Sequence, residues 1–241
     1  MMPERPRDII EDRLQKHCGP LVFISSMTPP IEILRNATYG LVDTGERKLL
    51  LTCYHVWDYL QELRLTHREA EITINLAPGA SPAISSAPII AADRDLDIAV
   101  IDPKLQAGEL GDRAFFKMTN WPQSPIRGGE AIVFRGYPEV GRVNYENHAQ
   151  FRSSFFGLHV TSVSDRSILL RNDNNDRTMV GLHNEPLAPT RGSGLSGSPA
   201  YRLGTSGLEL AGIVRDGLST DGIIMLTHIS FLNRDGTLRK P

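Results

Sequence analysis

The sequence predicts an all-β protein of two antiparallel barrels with six strands each, and a short helix at either end. Many short apolar segments are separated by turn residues, and 21 Gly and 16 Pro among 241 residues favour turns over long helices. Apolar residues make up 40% of the chain, so a sizeable core can be buried. Barrel proteins commonly reach this length as one unit, and we therefore treat residues 1–241 as a single unit.

An N-terminal extension, residues 1–19, is predicted to contain a short helix. Four side chains recur at helical spacing among charged residues between positions 7 and 18: Ile9, Ile10, Leu14 and His17. We expect this amphipathic helix to pack on a barrel, although its surface could also dock a regulatory protein.

The first barrel is predicted over residues 20–102. Short apolar segments broken by turn residues supply its strands, at 21–24, 37–42, 48–52, 71–76, 87–92 and 97–101. Residues 103–127 show no sustained periodicity of apolar residues, and prolines lie near both ends of the segment. Both features are typical of a connection that crosses between two halves.

The second barrel is predicted over residues 128–241. Its candidate strands lie at 129–134, 153–163, 167–170, 198–202, 208–214 and 222–227, and a short helix at 228–233 is expected to close the chain. The sequence contains neither an internal repeat nor a low-complexity tract.

The charge balance argues against two classes of partner. A net charge of −2 provides no basic field, so neither nucleic acid nor a membrane surface is an expected partner. Residues 1–8 lack the apolar run of a secretory signal, and no stretch approaches the roughly 18 apolar residues that span a bilayer. The two cysteines, Cys18 and Cys53, are expected to be reduced thiols. These features predict a cytoplasmic protein.

The strongest local signal for chemistry is segment 192–200, in which Ser196 lies between Gly194 and Gly197 and a proline follows. Glycine adopts positive φ at little cost, and it lets a substrate carbonyl approach main-chain N–H groups closely. The N–H groups of Gly194 and Ser196 are the natural donors of such an oxyanion hole. On its own, the segment is equally compatible with an ordinary turn.

His55 and Asp97 are candidates for a general base and its orienting acid. His55 follows an apolar strand and precedes 57–60, which suggests one helical turn, and a strand-to-helix corner holds a base in one orientation. Asp97 opens an apolar strand, where a carboxylate is costly unless it is hydrogen-bonded, for example to an imidazole N–H. Asp93 and Asp95 suit a surface turn. Taken alone, a histidine at this position is more often an ordinary half-buried residue.

Together, these segments resemble the histidine, aspartate and serine motifs of trypsin-like serine proteases, in particular bacterial single-domain members. The resemblance rests on a T-x-x-H element at 52–55, a D-I-A-V element at 97–100 and a G-x-S-G-x-P element at 194–199, in the order of that family. Segments 135–138 and 210–214 are similar to the opening of the second barrel and to the strand that lines the substrate cleft. The likeness covers residues 20–233.

This resemblance implies a serine endopeptidase of the chymotrypsin fold, acting on a protein or peptide through a catalytic triad of His55, Asp97 and Ser196. No metal or organic cofactor is required. The likeness also implies substrate-binding positions at Thr190, Arg191, Val214, Arg215, Asp216 and Gly217. If Arg191 or Arg215 points into the pocket, an acidic residue before the scissile bond would be favoured. Alternatively, both arginines lie at the surface or pair with Asp216.

The chain departs from the family at several positions. Leu195 stands where zymogen-activated members carry an aspartate that pairs with a newly cut N-terminus, so we expect activity without such cleavage. The disulfide beside the histidine is missing, and Ser198 replaces a glycine. The alternative function is therefore a trypsin-like fold that has lost catalysis and binds a protein as a regulatory module. An α/β-hydrolase is disfavoured because the acid and histidine precede the serine.

Overall fold

The computed structural model describes residues 6–76, 81–105, 107–121, 123–145, 149–171, 194–205, 207–216 and 222–240. These residues are mostly β and form an open seven-stranded sheet, a closed six-stranded barrel and a two-stranded ribbon. Within these ranges, no helix has both the length and the apolar character needed to cross a membrane.

The predicted N-terminal helix is present as α1 (Pro6–His17), which runs directly into the first strand, β1 (Cys18–Ile24). Leu14 is buried in the core of the first half. On the other side, the buried Arg135 donates a hydrogen bond to the carbonyl of Glu11 at 3.2 Å. The helix thus packs against both halves of the molecule, as its amphipathic pattern suggested.

The open sheet contains the strands expected for the first half. In chain order these are β1, β2 (Ile33–Asp43), β3 (Lys48–Thr52), β4 (Glu71–Ile74), β5 (Ile89–Asp93) and β6 (Ile98–Ile101), arranged in the sheet as β4-β1-β2-β3-β6-β5. A seventh strand, β7 (Phe116–Lys117), pairs in parallel with β2 and was not predicted.

The predicted closed barrel over 20–102 is not observed, because β4 and β5 remain the edges of this sheet. In the described part of the chain between them, residues 81–88 contact β4 through an isolated bridge between Thr73 and Ala83 and a hydrogen bond from the N–H of Ile72 to the Ser85 hydroxyl at 2.6 Å. Pro82 and Pro88 flank this short segment, and proline has no N–H to continue a ladder. The segment therefore lies beside the open edge without completing a strand.

The second half is a closed antiparallel barrel, as predicted. Its strands are β8 (Ala131–Gly136), β11 (Ser154–Val163), β12 (Ser167–Arg171), β13 (Pro199–Gly204), β14 (Gly207–Asp216) and β15 (Ile223–His228), in the order β11-β12-β15-β14-β13-β8. A ribbon of β9 (Arg142–Asn144) and β10 (Ala149–Phe151) was not predicted. The expected C-terminal helix at 228–233 is only a single 3₁₀ turn, Ile229–Phe231.

The helix after β3 is longer than the single turn predicted. This helix, α2, spans Tyr54–Thr66, and it buries four side chains on one face: Val56, Trp57, Leu60 and Leu63. Apolar residues at this spacing form a continuous stripe, which packing on the sheet stabilises. A long, anchored helix fixes the residues of its first turn, including His55.

Both cysteines are buried, and neither is part of a disulfide bond. Burial raises the pKa of Cys18 to about 11, against the opposing influence of Arg113 and Arg135. Only about one Cys18 in a thousand is then a thiolate at pH 8, and the thiolate is the reactive form. We expect iodoacetamide to modify the native protein slowly at pH 8 and the guanidinium-unfolded protein rapidly, as measured by intact mass. Rapid labelling of Cys18 in the folded protein would contradict this expectation.

Candidate active site

His55 occupies the first turn of α2, directly after the corner at Cys53, whose backbone is extended. The N–H groups of a first helical turn have no acceptor inside the helix. The N–H of His55 instead donates to Asp97 Oδ1 at 2.9 Å, while its ring Nδ1 lies 2.7 Å from Asp97 Oδ2. Both oxygens of one carboxylate thus hold the histidine, and they fix both its backbone and its ring.

Asp97 lies at the end of the turn between β5 and β6, just before the strand that it was expected to open. Its φ is +53°, in the left-handed region, which aspartate enters more readily than most residues. The side chain is buried beneath His55. Asp93 has a local role, because its Oδ1 accepts the N–H of Leu96 at 2.9 Å, whereas Asp95 is exposed.

The loop that carries Ser196 is pinned between the two halves. The carbonyl of Ser196 accepts the N–H of Thr38 at 3.0 Å, and the carbonyl of Gly194 accepts the hydroxyl of Thr38 at 2.7 Å. From the other side, the N–H of Gly197 donates to Val214 O at 2.8 Å. Leu195 is buried in the apolar core of the barrel. One strand from each half therefore sets the conformation of this loop.

Two features of the loop require glycine. Gly194 has φ +92° and Gly197 has φ +89°. A Cβ on Gly194 would lie 2.4 Å from the carbonyl oxygen of Tyr137, and a Cβ on Gly197 would lie 2.1 Å from that of Thr38. Both positions combine a left-handed backbone with close approach of another strand.

The N–H groups of Gly194 and Ser196 donate to no acceptor within the described parts of the chain. Unpaired main-chain donors beside a hydroxyl are the requirement for stabilising a developing oxyanion. Among the described residues, the two carbonyls of the loop are thus engaged by Thr38, whereas its two N–H groups find no acceptor there.

His55, Gly194 and Ser196 line one partly open cavity, whose volume of about 250 Å³ includes adjoining solvent. The hydroxyl of Ser196 donates to the carbonyl of Arg215 at 3.2 Å. No hydrogen bond joins Ser196 to His55 among the residues described. The site thus consists of a directly bonded His55–Asp97 pair and a serine that shares their cavity but is hydrogen-bonded elsewhere.

The predicted substrate-binding positions have different outcomes. Val214 is buried, and its carbonyl accepts both the Gly197 N–H and the Cys53 thiol, the latter at 3.1 Å. Thr190, Arg191 and Gly217 lie outside the described residues. For Asp216, only the backbone at the end of β14 is described.

Arg215 folds back onto the turn that carries Asp97. Its Nε lies 3.9 Å from Asp97 Oδ2, and its guanidinium donates to the carbonyl of Asp95 at 3.2 Å. The side chain is therefore tied to the orienting carboxylate. An ion pair with Asp97 was not foreseen, because no sequence pattern connects positions that are so far apart.

Cys53, His55 and Asp97 are the one group in the described chain that could supply three ligands to a metal ion, with one atom of each within 4.8 Å of the others. In a tetrahedral zinc site, neighbouring ligand atoms lie about 3.5 Å apart. The His55–Asp97 hydrogen bond of 2.7 Å would have to open and the thiol would have to approach. The observed geometry is that of a hydrogen-bonded pair above a buried thiol.

Six of the residues that line the cavity were not predicted as site residues, among them Arg35 on β2 and Tyr59 on α2. The apolar spacing of Val56, Leu60 and Leu63 could have extended the predicted helix and brought Tyr59 to attention. Arg35 left no comparable signal.

Comparison with known proteins adds no relative. A scan against protein-family models finds no match to the chain, and a search of curated proteins finds no similar sequence.

Proposed function

We propose that this chain is a serine endopeptidase of the trypsin-like type. The observation that carries the proposal is the 2.7 Å hydrogen bond between His55 and the buried Asp97, in a cavity shared with Ser196 and Gly194. An exposed imidazole held by a buried carboxylate is a poised general base. We expect the Ser196 hydroxyl in the same cavity to be the nucleophile, and the N–H groups of Gly194 and Ser196, which donate to no acceptor among the described residues, to form the oxyanion hole.

In the proposed reaction, the Ser196 hydroxyl rotates away from Arg215 O and attacks the substrate carbonyl, and its proton passes to His55 Nε2. The N–H groups of Gly194 and Ser196 donate to the oxyanion. His55 then gives its proton to the leaving amine, and water hydrolyses the acyl-enzyme by the same steps. Asp97 keeps the proton of neutral His55 on Nδ1 and stabilises the imidazolium.

We propose a fold of the chymotrypsin type, in which the open seven-stranded sheet takes the place of the first barrel. The serine loop is held by Thr38 and by the buried Leu195, so no ion pair with a cut N-terminus is needed, and activity is expected in the uncut chain. No metal or cofactor enters the reaction. Residence in the cytoplasm stays a prediction.

The proposal is tested with a fluorophosphonate probe, which reacts covalently with activated serines. We expect the wild-type protein to be labelled and the label to disappear in Ser196→Ala. Ser198→Ala is a matched control: the hydroxyl of Ser198 donates to Leu195 O at 2.6 Å and is buried. It should retain labelling at Ser196, as located by peptide mass analysis.

A protein-binding module without catalysis is the second candidate. It is favoured by the hydrogen bond from Ser196 to Arg215 O, which turns the hydroxyl away from the role of nucleophile. Absence of labelling in a folded wild-type protein would support this module and overturn the hydrolase.

A further inference from the structure

The cavity at Ser196 contains an arginine with no anionic partner among the residues that the structure describes. Arg35 lies on β2, half-buried, with its guanidinium 4.7 Å from the ring centroid of Tyr59. No ion pair to Arg35 occurs in the described part of the chain. A guanidinium stacked on an aromatic ring is held in place, and its fork of N–H donors matches a carboxylate.

A second, open cleft, whose volume of about 1290 Å³ includes adjoining solvent, reaches the site at Arg215. It is lined by the turn at 94–95, the turn at 164–167 and Arg215. Arg215 connects it to the reacting groups, because its carbonyl accepts the Ser196 hydroxyl and its Nε lies 3.9 Å from Asp97. Ser196 therefore lines the Arg35 cavity and is hydrogen-bonded to a residue that lines this cleft.

The cleft contains two arginines that are not tied to another side chain in the described chain. Arg94 and Arg166 are both exposed, and neither forms an ion pair with any residue that the structure describes. Asp95 and Asp165 also line the cleft, while its third arginine, Arg215, already pairs with Asp97. The Arg35 cavity and the cleft thus each offer guanidinium groups to a ligand.

We propose that the substrate is an acidic stretch of polypeptide. One carboxylate, on one side of the scissile bond, pairs with Arg35, and acidic residues on the other side lie beside Arg94 and Arg166. This inference rests on the proposed function. The Arg35 pair is the stronger one because it is half-buried and preorganised, whereas the exposed arginines act mainly through screened attraction.

The test uses synthetic peptides that carry a single Glu, or the matched Gln, at each of four positions on either side of a cleavable bond. Wild-type protein, Arg35→Gln and Arg166→Gln are compared by kcat/KM at low and at high salt. Arg68→Gln is the control, because Arg68 is exposed and lies outside both clefts. In parallel, the Ser196→Ala protein is titrated with the same fluorescent peptides to measure binding without cleavage.

We expect Glu to exceed Gln by about tenfold at one position, and this ratio to fall toward one in Arg35→Gln. At positions on the other side, Arg166→Gln should remove a preference of about two- to fivefold that high salt also removes. Arg68→Gln should retain both preferences. In Ser196→Ala, the Glu peptides should bind more tightly than the Gln peptides.

Equal cleavage and equal binding of the Glu and Gln series would overturn the inference, and so would survival in Arg35→Gln of the tenfold preference at the position assigned to Arg35. Loss of the proposed function has a different signature: no fluorophosphonate labelling and no cleavage by the wild-type protein. Tighter binding of Glu peptides to Ser196→Ala would then still support the acidic ligand.

Discussion

Replacing Asp97 by Asn is expected to lower kcat/KM for peptide hydrolysis by about 10⁴-fold while the protein stays folded. Asp97 accepts two hydrogen bonds from His55, one from the main-chain N–H and one at ring Nδ1. An amide NH₂ facing Nδ1 would donate to it and leave the ring proton on Nε2. His55 could then no longer accept the proton of Ser196. The measurement is steady-state cleavage of a fluorogenic peptide.

The matched control for this substitution lies in the same turn. Asp93→Asn makes the same chemical change at a side chain whose Oδ1 accepts only the N–H of Leu96. An asparagine oxygen can accept the same bond, so this variant should cleave at close to the wild-type rate. Asn also suits the left-handed φ of position 97, so the loss in Asp97→Asn should not reflect unfolding. Retention of more than about a tenth of wild-type kcat/KM in Asp97→Asn would contradict the role of Asp97 in orienting His55.

Local sequence patterns were enough to predict most of the strands. Alternating or continuous apolar segments bounded by turn residues identified the strands of both halves, and β3 matches its predicted limits of 48–52. The apolar pattern did not predict a strand whose formation depends on pairing with residues far away in the sequence. The strand β7 has only two residues and exists because it pairs with β2. In the first half, the described segment that contains Pro82 and Pro88 lies beside β4 but does not form a strand that closes a barrel.

For the site, the sequence identified the chemistry-bearing residues but not how they are held. His55, Asp97, Gly194 and Ser196 were singled out by residue type and order, and three of them share one cavity with Asp97 beneath. The role of Thr38, which binds the serine loop through its N–H and its hydroxyl, depends on the contact between two sheets. The fold-back of Arg215 onto Asp97 also crosses between the two halves, whereas Arg35 stacks on Tyr59 within the first half. Such tertiary relations leave no periodic signal in one sequence.

Replacing Gly197 by Ala is expected to reduce the free energy of unfolding by about 2–5 kcal/mol, the sum of a backbone cost and an overpacking cost. Its φ of +89° puts any Cβ in the left-handed region, which costs an L-residue about 1–2 kcal/mol. The new Cβ would also lie 2.1 Å from Thr38 O and 2.4 Å from Thr52 Oγ1. Relief of such overpacking by backbone shifts adds about 1–3 kcal/mol. Guanidinium-induced unfolding followed by fluorescence measures the sum.

Gly45→Ala separates the two contributions to this loss. Gly45 has nearly the same φ, +88°, but nothing lies within 4 Å of its ideal Cβ position. This control should show only the backbone cost of about 1–2 kcal/mol. The excess in Gly197→Ala then measures the tight contact between the serine loop and the strands bearing Thr38 and Thr52. Equal destabilisation by the two substitutions would show that the residues around position 197 shift to accommodate the new Cβ at little cost. In that case, the Ser196 loop would not be rigidly positioned by the first sheet, and the oxyanion donors would lack the preorganisation on which the proposed chemistry depends.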